Sequence, residues 1–167
     1  LHTDLNKRFL NVAKDSYSMN GWPMAKRDFR TGDFFDVAGQ LKRDDELFDC
    51  IFVDPPFFSV TPQGRVDTGN EAQKLLNKIR PLVAHEGRLV VVNNGVFVSG
   101  ADFTTVIDAL CADGYISPET RIDVPEDVTG TAATRQGKPL VDPAPFTHST
   151  KMVVLKVTRK DGRSAAA

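Results

Sequence analysis

The feature that most constrains the fold is a pair of continuous apolar runs, Phe48–Val53 and residues 88–92, each followed by polar or proline residues. Runs without polar alternation are typical of strands covered by other elements on both faces, as in parallel sheets. Segments with helical spacing lie between and after the two runs. This alternation predicts an α/β domain with a mostly parallel sheet.

Three segments carry apolar residues at helical spacing. Residues 71–83 form the first, in which Pro81 is expected to end the helix early and Gly87 to follow as a C-cap. The second begins at Ala101, with Ser99 as its N-cap and Gly114 after its end. The third covers residues 5–19 and places four apolar side chains on one face: Leu5, Phe9, Val12 and Ala13.

The remaining segments complete one domain. Residues 29–35 and 152–157 are predicted strands, while residues 123–147 form a long loop with four prolines. Residues 161–167 are expected to be a disordered tail. The domain is therefore expected to cover residues 1–160.

Composition excludes several classes of protein. The 167 residues hold 21 Lys and Arg against 22 Asp and Glu, so no strong positive field favours nucleic acid or an anionic membrane. Two cysteines, Cys50 and Cys111, exclude a disulfide scaffold, and their apolar neighbours predict buried thiols in a reducing compartment. No apolar run is long enough for a membrane span, and the first ten residues are too polar for a signal peptide. We expect a cytoplasmic protein without a metal site.

Acidic residues follow three predicted strands: Asp4, Asp33 and Asp54. Open parallel sheets bind ligands at the carboxyl ends of their strands, so these carboxylates are candidate ligand contacts. An isolated strand-end aspartate more often caps a helix, and Asp4 alone would be interpreted in that way.

The segment Asp54-Pro55-Pro56-Phe57 favours a binding role more strongly. Two prolines fix the backbone and donate no hydrogen bond, so acceptor groups stand on a stiff support beside an aromatic ring. Such a cluster could hold a planar group that bears an amino function, with its ring stacked on Phe57 or Phe58. The alternative is a turn with a buried phenylalanine.

This segment resembles the D-P-P-aromatic motif of the class I S-adenosylmethionine-dependent methyltransferases. The subgroup it is most similar to is the bacterial ribosomal RNA large-subunit methyltransferases, whose loop reads D-P-P-x-F-S; the corresponding residues here run from Asp54 to Ser59. Other segments follow in that family's order: Asp4-Leu5-Asn6 at the second strand, Gly32-Asp33-Phe34-Phe35 at the third, and Glu86-Gly87 before the fifth. The resemblance covers the chain from Asp4 to Val157. It implies a Rossmann-like sheet, mostly parallel, with an antiparallel strand near the C-terminus.

The resemblance also implies roles for individual residues. S-adenosyl-L-methionine would be the cofactor, with Asp4 on the ribose hydroxyls and Asp33 on the adenine amino group. The cofactor-binding residues are expected to be Asp4, Asn6, Asp33, Phe34 and Asp54. The catalytic loop is expected to consist of Asp54, Pro55, Pro56, Phe57 and Phe58. RNA is the expected acceptor, although the net charge does not indicate it.

Two departures from the family pattern affect these expectations. No G-x-G-x-x-G motif occurs, and the chain begins at the family's second strand, so the first strand and its glycine-rich loop are expected to be missing. That strand lies in the middle of the family's sheet, so we expect the sheet to open between the strands that end at Asp4 and Asp54. Relatives that methylate carbon 5 of a pyrimidine use a cysteine, whereas the matching strand end here is Asn93-Asn94-Gly95. A nitrogen acceptor is therefore favoured.

Other functions remain open at this point. The chain could be a non-catalytic or incomplete Rossmann-like module that binds a partner without a cofactor. It could also methylate nitrogen in a protein or a small molecule.

Overall fold

The computed structural model describes residues 1–129, 134, 137 and 144–165. These residues form two compact units. The first unit contains Leu1–Asp45 and Thr61–Gly64, and the second contains Glu46–Val60 and the residues from Arg65 onward.

The helices and strands alternate through most of the chain, as the sequence predicts. In chain order they are β1 (His2–Asp4), α1 (Lys7–Met19), β2 (Phe29–Thr31), α2 (Phe34–Arg43), β3 (Phe48–Val53), β4 (Phe58–Thr61), β5 (Gly64–Asp67), α3 (Ala72–Ile79), β6 (Val83–Asn93), α4 (Gly100–Cys111), β7 (Ile116–Ile122), α5 (Glu126–Thr129) and β8 (Lys151–Val157).

The first unit is built on the parallel pair β1 and β2, in which Asp4 lies opposite Thr31. Helix α1 connects them and begins two residues later than predicted, because Asn6 is its N-cap and accepts a hydrogen bond from Arg8 N. Of the apolar residues in α1, Leu10 is buried, whereas Phe9 and Val12 on the predicted face are exposed.

The predicted strand over residues 29–35 is wrong in its second half. Strand β2 ends at Thr31, and helix α2 begins at Phe34. Asp33 causes this change because its carboxylate accepts a hydrogen bond from Phe35 N and caps the helix.

The second unit contains a four-stranded sheet in the order β3-β6-β8-β7. Strands β3 and β6 are parallel, whereas β8 is antiparallel to both β6 and β7. The predicted α/β fold with an antiparallel strand near the C-terminus is confirmed, although the sheet is mixed. The two central strands, β6 and β8, supply most of the buried apolar side chains of this sheet, and Leu89 of β6 and Leu155 of β8 are fully buried.

Strand β3 differs from the prediction that both its faces are covered. Among the described strands it pairs with β6 alone, and β1 pairs with β2 alone. Cys50 and Phe52 are two residues apart and so lie on the same face of β3, and this face is open: Cys50 is exposed and Phe52 is 74% exposed. The prediction of a buried Cys50 is therefore wrong, while Cys111 is partly buried and its burial raises the pKa of the thiol.

Gly87 is not the C-cap that the sequence predicted. Helix α3 ends at Ile79, a short 3-10 turn at Arg80–Leu82 follows, and β6 already begins at Val83. Gly87 lies within β6, where a Cβ atom would stand 2.9 Å from the backbone oxygens of Ala84 and Asp49. The glycine is required by the close approach of two backbones.

Helix α4 and strand β8 match their predictions, including the Ser99 cap, whose side chain accepts from Asp102 N. Strands β4, β5 and β7 were not predicted. Strands β4 and β5 have only four residues each, and Pro118 interrupts the pattern of β7. About half of the predicted loop at residues 123–147 lies outside the described residues, and α5 occupies part of its start.

The first residues of the predicted tail are bonded to the sheet. Arg159 pairs with Asp161, and His85 N donates to the carbonyl oxygen of Arg163 at 2.7 Å. The hydrogen bond from the Arg159 guanidinium holds the pKa of the Asp161 carboxyl well below its usual range.

Replacing Gly87 with alanine should destabilise the chain. We expect Gly87→Ala to lower the free energy of unfolding by about 2 kcal/mol, because the new methyl group meets backbone atoms that cannot rotate away. Urea denaturation measures this change. Gly39→Ala within α2 is the matched control: its new Cβ meets only the flexible Arg43 side chain, so we expect no loss of stability. Equal effects of the two substitutions would contradict this account of Gly87.

Candidate active site

Asp54 follows β3 directly, and its side chain is exposed. Val53 before it is buried, so the end of the strand anchors a carboxylate that faces solvent. Oδ1 of Asp54 accepts a hydrogen bond of 2.7 Å from the side-chain amide of Asn94. Within the described part of the chain, Oδ2 has no hydrogen-bond partner, so it is free to accept from a ligand.

Asn94 belongs to a second strand end, just after β6. Its Oδ1 atom accepts a hydrogen bond of 3.0 Å from the Thr150 hydroxyl, which precedes β8. Because β3 and β6 are parallel and β8 runs the opposite way, two carboxyl ends and one amino end meet at this sheet edge. Three polar side chains therefore form one chain of hydrogen bonds there.

Phe57 is held between two glycines. A Cβ atom on Gly95 would stand 2.8 Å from its ring, and one on Gly69 would stand 3.3 Å from it. The Phe57 carbonyl accepts from both the backbone N and the hydroxyl of Thr68. The glycines therefore admit the ring, and Thr68 fixes its backbone.

The turn that carries Gly69 is shaped by Asp67. Its carboxylate accepts from the backbone and side-chain nitrogens of Asn70, and these bonds lower the pKa of Asp67. The charged carboxylate stabilises the turn beside the Phe57 ring.

Phe97 adds an exposed aromatic surface that the sequence analysis missed. Its ring centroid lies 6.4 Å from that of Phe57, and the residue is 83% exposed. Phe58, the first residue of β4, is also exposed, as is Pro56, while Pro55 is half-buried. A phenylalanine shortly after a strand end could have suggested Phe97, but its exposure is visible only in the fold.

A buried lysine supports the Asn94 turn. Lys151 has no exposed surface, and its Nζ donates to the carbonyl oxygens of Gly95, at 3.1 Å, and of Ser149. Burial lowers the pKa of Lys151. Asn93, also buried, accepts from Gly95 N at 2.9 Å. These bonds fix the backbone on either side of Asn94.

The first unit places Asp4 and Asn6 at the end of β1. Asp4 is half-buried, and its Oδ1 accepts from Asn6 N at 2.6 Å, while Oδ2 has no hydrogen-bond partner among residues 1–129, 134, 137 and 144–165. Asn6 is engaged as the cap of α1. Asp4 thus keeps one oxygen available for hydroxyl donors.

Asp33 is 8% exposed, and both of its oxygens already accept hydrogen bonds. Oδ1 accepts from Phe35 N at 2.8 Å, and Oδ2 accepts from the Thr61 hydroxyl at 2.6 Å. Phe34 is half-buried and contacts Phe35 edge to face. The structure gives Asp33 a helix-capping role, and its contact with a cofactor stays a prediction.

Among the residues that the structure describes, no group of three His, Cys, Asp or Glu side chains could hold a metal ion. No helix among them is both long and apolar enough to cross a membrane.

Comparison with curated proteins finds relatives that share part of the sequence. The ribosomal RNA large subunit methyltransferase K/L of Acinetobacter baylyi is 30% identical over 123 residues, which is 70% of this chain and 16% of the relative. The protein of the same name from Psychrobacter arcticus is 32% identical over 95 residues, covering 54% of this chain and 12% of that protein. The chain therefore spans a small part of these relatives. No family model matches it.

Comparison with solved structures covers nearly the whole chain. A protein provisionally described as a methyltransferase, solved with SAH, matches 93% of this chain and 38% of its own at a TM-score of 0.75 and 18% identity. The S-adenosylmethionine-dependent methyltransferase from Agrobacterium tumefaciens matches 95% of this chain and 48% of its own, with a TM-score of 0.62 and 17% identity.

The chain has the fold of these solved methyltransferases. The class I methyltransferase resemblance that the sequence indicated is thus confirmed. In this methyltransferase fold, the Asp54 loop and the Asn94 turn lie at the ends of neighbouring strands β3 and β6.

The structural role of Asp33 can be tested by substitution. We expect Asp33→Ala to lower the free energy of unfolding by about 2 kcal/mol, because Phe35 N and the Thr61 hydroxyl both lose their acceptor. Asp33→Asn is the matched control, since asparagine also caps helices and should recover most of the loss. Urea denaturation distinguishes the variants. Wild-type stability in Asp33→Ala would show that neither bond supports α2.

Proposed function

We propose that the protein transfers a methyl group from S-adenosyl-L-methionine to a nitrogen of a nucleobase in RNA. The observation that carries this proposal is the Asp54 loop. Asp54 has one carboxylate oxygen, Oδ2, that is free to accept a hydrogen bond, and three residues later the Phe57 ring is held between two glycines. An amino group that donates to Asp54 and a base that stacks on Phe57 match these two features.

The curated relatives support RNA as the acceptor class. They are named ribosomal RNA large subunit methyltransferases, and the aligned part includes up to 70% of this chain. The net charge of −1 gives this chain no general attraction for RNA, and its own contribution to RNA binding would come from local contacts such as exposed Phe97 and Phe58.

Alignment of the two reactants is the main task of the site. S-adenosyl-L-methionine would supply a methyl group on a sulfonium. The S–CH₃ bond would break as the nitrogen lone pair forms the N–CH₃ bond, S-adenosylhomocysteine would leave, and the extra proton on the nitrogen would pass to water, so no strong base is needed. Asp54 accepts a hydrogen bond from the N–H group of the acceptor and so orients the acceptor nitrogen. Its carboxylate also stabilises the positive charge that develops on that nitrogen. Phe57 fixes the plane of the base. Such positioning lowers the barrier by roughly 7 to 11 kcal/mol in well-oriented reactions.

The first unit fits part of the cofactor. The two ribose hydroxyls are donors, and Asp4 offers a free carboxylate oxygen at the carboxyl end of β1. Asp33 fits the adenine amino group less well because both oxygens already accept, although a carboxylate has further lone pairs.

A nitrogen acceptor agrees with the surroundings of Asp54. Methylation of a pyrimidine carbon needs a thiolate, and the turn after β6 carries Asn94 instead of cysteine. Cys50 is exposed but lies four residues before Asp54, about 13 Å away along an extended strand. Cys111 is in α4 and is partly buried.

Removing the Asp54 carboxylate should stop methyl transfer without unfolding the protein. We expect Asp54→Ala to lower kcat at least about one-hundredfold, since the acceptor loses its orienting partner. The kcat of the full-length protein is measured as transfer of radioactive methyl groups from labelled S-adenosylmethionine to large-subunit ribosomal RNA. The free energy of unfolding should change by less than about 1 kcal/mol because Asp54 is exposed.

The matched control is Asp49→Ala. This substitution also removes an exposed carboxylate, which lies within β3, and it should leave kcat unchanged. Normal transfer by Asp54→Ala would refute the catalytic role of Asp54. Transfer to a protein or a small molecule, but not to RNA, would refute the acceptor class alone.

Cofactor binding should depend on Asp4. We expect Asp4→Ala to weaken S-adenosylmethionine binding at least about tenfold, because a charged acceptor of hydroxyl groups is lost. Isothermal titration calorimetry measures the Kd. Asp15→Ala in α1 is the control: this side chain is also acidic but lies away from the end of β1. Equal affinities for wild type and Asp4→Ala would exclude Asp4 from the cofactor site.

A further inference from the structure

Asn94 is the one side chain in the described second unit that bonds to Asp54. Its amide nitrogen donates to Asp54 Oδ1 at 2.7 Å, and its amide oxygen accepts from the Thr150 hydroxyl at 3.0 Å. Both ends of a single planar group are therefore engaged. The Asn94 side chain connects the ends of β3 and β6 with the residue before β8.

The chemistry of the partners fixes the direction of this amide. An ionised carboxylate only accepts hydrogen bonds, so the NH₂ group of Asn94 must face Asp54. The amide oxygen then faces Thr150, whose hydroxyl can donate. The reverse orientation would place an oxygen against the Asp54 carboxylate, and repulsion between the two acceptors disfavours it.

The backbone under Asn94 is held independently of this amide. Buried Asn93 accepts from Gly95 N, and buried Lys151 donates to the carbonyl of Gly95. The Asn94 side chain therefore reaches Asp54 from a fixed turn. An exposed aspartate without such a partner would move among several rotamers and would have to be ordered again for each acceptor.

We propose that Asn94 is a positioning residue for Asp54, oriented in turn by Thr150. It occupies Oδ1 of Asp54 and thereby presents Oδ2 to the N–H group of the acceptor. This inference rests on the proposed function, because it assigns a task to Asp54 in methyl transfer. Asn94 acts through Asp54 and needs no contact with the cofactor or with the reacting nitrogen.

The first test compares kinetic constants in the protein as its gene encodes it. We expect Asn94→Ala to lower kcat by about tenfold or more, while the Kd for S-adenosylmethionine changes little. Thr150→Val should lower kcat to a smaller extent, and Thr150→Ser, which keeps the hydroxyl, should restore it. Thr120→Val on β7 is the matched control and should leave kcat unchanged, since its hydroxyl donates to Arg121 O and has no bond to Asn94 or Asp54. Wild-type kcat in Asn94→Ala would overturn the proposal.

The second test asks whether Asn94 acts through Asp54. In the Asp54→Ala background, measured by single turnover with enzyme in excess, Asn94→Ala should lower the residual rate less than about twofold. A merely structural role would lower the rate equally in both backgrounds, and that result would overturn the proposal.

A third measurement separates this inference from the proposed function. The side-chain amide of Asn94 gives a pair of NMR signals, identified by their loss in Asn94→Ala, and its bonded proton should exchange slowly with water. Asp54→Ala and Thr150→Val should each speed that exchange. If they do so while the wild-type protein methylates no RNA, the proposed function fails and the hydrogen-bonded bridge stands. Unchanged exchange in both variants overturns the bridge whatever the activity.

Discussion

The pairing of β6 with β3 on one side and with β8 on the other is the constraint on which the second unit depends. Parallel pairing brings the ends of β3 and β6 to one edge, and antiparallel pairing brings the start of β8 to the same edge. Asp54, Asn94 and Thr150 come from sequence positions up to 96 residues apart, yet they bond in one line because of these ladders. The register of the sheet thus sets the geometry of the candidate site.

Beside this polar line, close backbone approach decides where the aromatic ring lies. Phe57 fits because Gly69 and Gly95 carry no Cβ atoms that would collide with it. Asp67 stabilises the first of these turns through Asn70, and Lys151 stabilises the second through the carbonyl of Gly95. Burying a lysine is costly, and the cost is offset here by carbonyl oxygens that accept from its ammonium group. The supporting side chains of Lys151, Asp67 and Asn93 are thus buried, while Asp54 and Phe97 are exposed.

Much of the fold could be predicted from sequence patterns. Helix α4 and strand β8 have strong periodicity, and their positions were predicted to within a residue. Errors arose where local chemistry or tertiary contacts opposed the pattern: Asp33 begins a helix inside a predicted strand, and Gly87 serves a close strand contact instead of a helix end. Strand β7 escaped prediction because pairing with β8, rather than its own apolar content, makes it a strand.

The sequence by itself determined the local character of the Asp54 loop. Two prolines after Asp54 stiffen its support, the phenylalanines that follow offer stacking surfaces, and these properties belong to residues adjacent in the chain. The tertiary structure alone decided which side chains surround that loop. Four side chains around the loop lie 40 or more residues after Asp54: Asn94, Phe97, Thr150 and Lys151. Their contacts could not be predicted, because hydrogen bonds and ring contacts between separate strand ends exist only once the sheet has formed.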